Sequence, residues 1–304
     1  MEIPLKTFYS ISEALAAPDE VLSLDLHFMD LNYFPDDIFR FINLEELILW
    51  NNQITIIPDD IGMFANLKKL ELSGNKISAL PESIGSLSNL TTLVLSWNDL
   101  TELPDSIGNL INLERLGLNN NHLRKLPQSL GNLTNLKELV LSENQLSELP
   151  ETIGNLKNLL KLRACGNHLS RLPENICVLS NLTKLEVHEN NISELPENIG
   201  CLENLEKIRL YKNLLTHLPD SFCKLTNLRK LLLYENELKA LPREIGNLTK
   251  LKELQLSFND LTILPDSFTN LSNLRFLDIS MNPLLPEILS ELEKALPKTI
   301  IVAD

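Results

Sequence analysis

The sequence predicts an α/β solenoid, with short strands stacked into a parallel sheet on one face and short helical or 3₁₀ turns on the other. Three observations carry this. A unit of 23 residues recurs without insertion or deletion, starting at Val21, Leu44, Leu67, Leu90, Leu113, Leu136, Leu159, Leu182, Leu205, Leu228, Leu251 and Leu274. Each unit holds an x-L-x-L-x alternation, the two-residue period of a strand with one buried face. Asparagine occupies the ninth position in eleven of the twelve units, from Asn52 to Asn282, with Met29 the exception.

Each element follows from the residues at its place. Positions 4 and 6 of a unit point into the core and positions 3, 5 and 7 point out, so neighbouring units form a parallel sheet. The ninth-position asparagine, in the turn after the strand, can satisfy backbone donors and acceptors that an apolar side chain would leave unpaired. Proline at position 15 suits the first turn of a short helical or 3₁₀ segment. An acid follows it in nine of eleven repeats, from Asp36 to Asp266, where it favours the positive end of that turn.

Residues 1–20 read as an N-terminal helical cap, because Ser10-Ile11-Ser12-Glu13 has capping-box spacing ahead of a short apolar helix stopped near Pro18. Residues 21–284 are the repeats. Residues 285–304 read as a C-terminal helical cap with a degenerate last strand. Ile288, Leu289, Leu292 and Leu296 are at helical spacing, and Ile300 and Val302 fall on positions 4 and 6 of a thirteenth unit.

The signature L-x-x-L-x-L-x-x-N-x-L over residues 21–284 resembles that of leucine-rich repeat proteins, and the LP-x-x-IG-x-L second half is similar to the intracellular Ras-group and related bacterial repeats. The resemblance implies a curved right-handed horseshoe with the sheet on its concave face. It also implies a non-catalytic scaffold that recognises a protein partner through that face, with a small GTPase as one candidate. A bacterial effector that binds a host protein is an alternative within the same class.

Composition narrows the partners. With 304 residues, 43% of them apolar, the chain can bury a sizeable core, and its net charge of −14 argues against nucleic acid and membrane surfaces as partners. The opening "MEIPLKTFYSISEALAAPDE" lacks the basic start and apolar run of a signal peptide, and no apolar run is long enough to span a bilayer. No paired cysteines frame the ends. These features lead to the expectation of a cytoplasmic protein.

No segment of the sequence is left over for a catalytic domain, and no enzyme activity or cofactor is expected. The five histidines, His27, His122, His168, His188 and His217, lack metal-ligand spacing. Cys177, Cys201 and Cys223 recur on one side of three successive repeats and form the candidate for metal-dependent chemistry. Cys177 and Cys223 stand where glycine usually stands, and small buried thiols are ordinary core residues. The Asn-Leu-Thr sequences at Asn89, Asn132, Asn181 and Asn247 follow from the repeat consensus rather than marking glycosylation.

The positions that the consensus leaves free carry the functional reading. Columns 3, 5, 7 and 8 are read as lining the concave face. In the first four repeats they hold Phe28, Ile48, Trp50, Val94 and Trp97, an aromatic patch of the kind enriched at binding hot spots. In repeats seven to ten, columns 3 and 5 hold Lys161, Arg163, Lys184, Lys207, Arg209 and Lys230 against the single acid Glu186. His188, Tyr211 and Tyr234 follow in column 7, and Glu189, Glu206 and Glu235 are placed to offset part of the charge. On an acidic protein such a patch should attract an acidic peptide or protein face.

Overall fold

The structure, a computed structural model, describes residues 6–303. Residues 1–5 of the expected N-terminal cap, and Asp304, lie outside the described residues. The chain divides into two compact units, Met1–Leu146 and Ser147–Asp304.

In the first unit, β1 (Thr7–Phe8), β2 (Ser23–Asp25), β3 (Glu46–Ile48), β4 (Lys69–Glu71), β5 (Thr92–Val94), β6 (Arg115–Gly117) and β7 (Glu138–Val140) pair in chain order, all parallel. The second unit repeats the pattern with β8 (Lys161–Arg163), β9 (Lys184–Glu186), β10 (Lys207–Arg209), β11 (Lys230–Leu232), β12 (Glu253–Gln255), β13 (Phe276–Asp278) and β14 (Ile300–Val302). Each repeat strand of β2–β13 covers positions 3 to 5 of its unit. The leucines at positions 1, 4 and 6, such as Leu113, Leu116 and Leu118, are fully buried. The core is therefore a column of stacked leucines behind the sheet, stabilised by removal of apolar surface from water.

The ninth-position asparagines act as the sequence predicts. Asn121 Oδ1 accepts the Leu100 N–H at 3.0 Å, while its Nδ2 donates to the carbonyls of Leu95 and Leu118 at 3.0 and 3.1 Å. A second ladder of asparagines at position 23 ties the turns together, as when Asn112 Nδ2 donates to the Ser88 carbonyl at 2.9 Å. Asn89 and Asn181 belong to this ladder, donating to Ala65 and Lys157 at 2.8 Å, so two of the Asn-Leu-Thr asparagines already use their amides within the fold.

Three expectations are corrected. Position-15 proline caps the 3₁₀ turn rather than opening it: Pro104 is extended (φ −67°, ψ 152°) and its carbonyl accepts the Ile107 N–H at 3.1 Å. The N-terminal cap contains a strand as well as a helix. β1 pairs with β2 ahead of the single-turn helix α1 (Ile11–Ala14), whose N-cap Ser10 accepts the Glu13 N–H at 3.2 Å.

The third correction is at the C-terminus. Ile301, not Ile300 or Val302, lies opposite the buried Leu277, and Ile300 and Val302 are exposed. Helix α2 (Pro286–Ala295) replaces the usual turn and makes this unit one residue longer, and a one-residue slip turns a strand's faces over.

Candidate functional site on the exposed sheet face

In the first unit, position-7 side chains of successive repeats meet across neighbouring strands. His27 and Trp50 stack with centroids 4.7 Å apart and planes 3° from parallel, and Phe28 meets Trp50 edge-on at 4.7 Å. Asp25 fixes the histidine: its Oδ1 accepts the His27 backbone N–H at 3.2 Å and lies 2.6 Å from ring Nδ1. Ile48 and Val94 are half-buried at position 5 of β3 and β5.

Trp97 does not join this cluster. It is 63% exposed in a shallow depression shared with Asp99, Asn120, His122 and Glu143. The expected five-residue patch is thus a cluster of His27, Phe28 and Trp50 with a separate tryptophan. The neighbouring places in columns 7 and 8 hold Ser73, Gly74, Ser96, Asn119 and Asn120, none with a ring, so Trp97 has no aromatic side chain beside it in those columns. Position 8 is left-handed in all twelve repeats, including Phe28 (φ 53°) and Trp97 (φ 58°), and begins the turn after the strand. His27 was legible as a neighbour of Trp50 only by reading column 7 as a stack.

The second unit carries the basic face. Lys161, Lys184, Lys207 and Lys230 are Cα partners across β8–β11, a row of four like charges in register. Such facing pairs are destabilising unless neutralised. Glu186, only 6% exposed, gathers Lys207 (2.9 Å), Arg163 (3.2 Å) and Arg209 (3.5 Å), while Lys230 pairs with Glu253 at 2.6 Å.

Among the described residues the ion pairs of the row and its arginines run to Glu186 and Glu253, while Glu189 lies 3.7 Å from Lys212. Among the described residues Lys161 and Lys184 make no ion pair. Burial pushes the Glu186 carboxyl up, but the Lys207 hydrogen bond and the charges of Arg209, Lys207 and Arg163 outweigh it and hold the group below its usual value.

Next to these charges is a second ring ladder. His188 stacks on Tyr211 at 4.2 Å, and Tyr211 on Tyr234 at 4.3 Å. His188 was expected to be a contact residue but is only 8% exposed, and burial pushes its pKa down, so it supports the tyrosines as a neutral ring. Burial also raises the Tyr211 and Tyr234 phenols, which stay protonated.

The cysteines offer little chemistry. Burial first, then the charge of Glu174 and the neighbouring Cys201, push the Cys177 thiol up to about 12. Burial and Asp220 push Cys223 up to about 11. Thiols so raised are poor nucleophiles and poor metal ligands at neutral pH. Among the described residues no three histidine, cysteine or acidic side chains are grouped to hold a metal.

A solenoid of parallel strands, asparagine-laddered turns and an open sheet face bearing aromatic and charged columns defines a repeat protein of the kind that commonly serves as a protein-interaction scaffold. Family models agree: one described as a leucine-rich repeat region matches residues 20–118, 105–190 and 127–214, and a leucine rich repeat model matches residues 226–284. The chain belongs to the leucine-rich repeat proteins.

No curated protein matches it in sequence. Among solved structures, a leucine-rich repeat protein of Leptospira interrogans is 31% identical over 97% of this chain and 99% of its own, with a TM-score of 0.49. The plant peptide hormone receptor RGFR1, solved in complex with RGF2, is 29% identical over 92% of this chain and 54% of its own, with a TM-score of 0.66. Toll of Drosophila, solved in complex with Spatzle, is 25% identical over 97% of this chain and 42% of its own, with a TM-score of 0.81. The chain spans about half the length of RGFR1 and less than half that of Toll.

Proposed function

We propose that this chain is a non-catalytic, cytoplasmic protein-binding scaffold, and that the sheet face of residues 161–234 recognises an acidic peptide or acidic protein face. The supporting observation is the lysine row of β8–β11, four cations in register, with Lys161 and Lys184 free of ion pairs among the described residues. Acidic side chains from a partner would relieve that repulsion. The ring ladder at position 7 lies four residues further along the strands, about 13 Å away. An extended segment could therefore set acids on the lysines and an apolar or aromatic side chain on Tyr211 and Tyr234. The complexes of RGFR1 and Toll with protein ligands support the general mode. A small GTPase is suggested by repeat resemblance alone, whereas the acidic segment is supported by the charge on the face itself.

Affinity capture tests the proposal. The paired change Lys161→Glu with Lys184→Glu should abolish capture of the partner while leaving the circular dichroism melt unchanged, and Trp50→Ala with Trp97→Ala tests the aromatic surface in the same way. Capture unaffected by both pairs would sink the assignment.

A further inference from the structure

The ring stack of the first unit stops at Trp50. The next two places in its column are Ser73 and Ser96. The Asn51 N–H donates to the Ser73 carbonyl at 2.8 Å, so Ser73 lies beside Trp50 at the ordinary strand spacing of about 4.8 Å. That is also the separation at which His27 covers the other face of the indole. A serine hydroxyl does not fill the height of a ring. Among the described residues no ring stacks on Trp50 from the Ser73 side, and its indole N–H has no hydrogen-bond partner. Phe28 walls the cluster at its first repeat, whereas the rim beside Ser73 has no ring, only the polar Asn51 side chain lying over Gly74.

Charge selects what fits. The exposed positions of β2–β4 carry Asp25, Glu46 and Glu71 against a single lysine, Lys69, whose ammonium is 3.6 Å from Glu71. We propose that the open place beside Trp50 takes the guanidinium of an arginine from a protein partner, stacked on the indole and drawn to the Glu71 carboxylate. Arginine suits it better than lysine because its planar cation both stacks on a ring and pairs with a carboxylate. The other ladder ends in the same way, with Tyr234 beside Ser257, but position 5 of that strand is Gln255, which offers no carboxylate where Glu71 stands, and Glu253 is paired with Lys230.

The inference rests on the sheet face being the binding surface but not on the lysine row, and its test is separate. The full chain is titrated with short, otherwise neutral peptides carrying one arginine, lysine or citrulline, and the indole N–H resonances of Trp50 and Trp97 are followed by NMR. The arginine peptide should move the Trp50 resonance saturably, the lysine peptide less, and the citrulline peptide not at all. Ser73→Phe, which fills the place with a ring of the protein's own, should abolish the response, and Glu71→Gln should weaken it about two- to fivefold. Trp97 dispersion reports that each variant is folded, and if Ser73→Phe is not, Glu71→Gln carries the test. A silent Trp50 at millimolar peptide, an equal response to citrulline, or an undiminished response in the folded Ser73→Phe or Glu71→Gln protein overturns the proposal. Loss of acidic-peptide binding in the Lys161 and Lys184 variants leaves this titration unaffected.

Discussion

At the scale of single residues, the asparagine ladder is the part of the fold most directly dictated by chemistry. Asn121 is 5% exposed and satisfies one N–H and two carbonyls of the buried turn. Asn121→Leu orphans the Leu100 N–H and leaves the Leu95 and Leu118 carbonyls with their remaining donors, Asn98 and Asn144, so urea unfolding should show a loss of about 1–3 kcal/mol. Glu186 makes a pH prediction. Its carboxyl is held below the ordinary value, so the stability it adds is complete above the unfolded carboxylate pKa and is lost as pH falls through the lower folded one. Glu186→Gln should therefore lack this part of the acid-induced loss when melts are compared between neutral pH and the acid limb. Cys201 is exposed while the Cys177 and Cys223 thiols are buried and raised, so neutral-pH alkylation followed by mass spectrometry should label Cys201 and spare those two until the chain unfolds.

At the scale of elements, most of the repeat was legible in the sequence because strand, turn and 3₁₀ segment each recur with their own residue types. What escaped were local backbone choices. The left-handed position 8 admits Phe28, Trp97, Glu143 and Met281 alike, so no residue type announces it. The helix α2 unit hides its extra residue because its apolar residues still fall on a 23-residue count. The glycine of the 3₁₀ turn was visible as a consensus, and its cause is a close approach: a Cβ on Gly108 would lie 2.5 Å from the Ser129 carbonyl oxygen of the next turn.

Gly108→Ala should accordingly destabilise the chain by about 1–3 kcal/mol in denaturant titration. Gly62→Ala should cost less, because its Cβ would be 3.1 Å from the Ser83 oxygen. The turns that follow Cys177 and Cys223 show how the fold accommodates a side chain there. Each shortens to three residues, Ile199–Cys201 and Ile245–Asn247, where the turns that carry the two cysteines have five. The preceding residues, Asn198 and Glu244, move to φ near −97° instead of continuing the regular turn.

At the scale of the whole molecule, an acidic chain of net charge −14 concentrates basic residues on one stretch of exposed sheet. The residues of that stretch were legible because the repeat register assigns every side chain a column. Its effective charge was not, because only the structure shows Glu186 buried among Arg163, Lys207 and Arg209, with Lys161 and Lys184 making no ion pair among the described residues. The aromatic patch was legible as a concentration of tryptophan but not as one cluster, because Ser73, Gly74 and Ser96 separate Trp97 from the rings around Trp50. The central claim is that this charge arrangement governs recognition, and calorimetric titration with an oligoglutamate peptide at low and at physiological salt tests it most directly. Affinity should rise in Glu186→Gln, which removes the negative charge shared by Lys207, Arg163 and Arg209, and fall in Lys184→Glu, with both differences shrinking as salt screens them. Equal affinities across the wild type and both variants would contradict it.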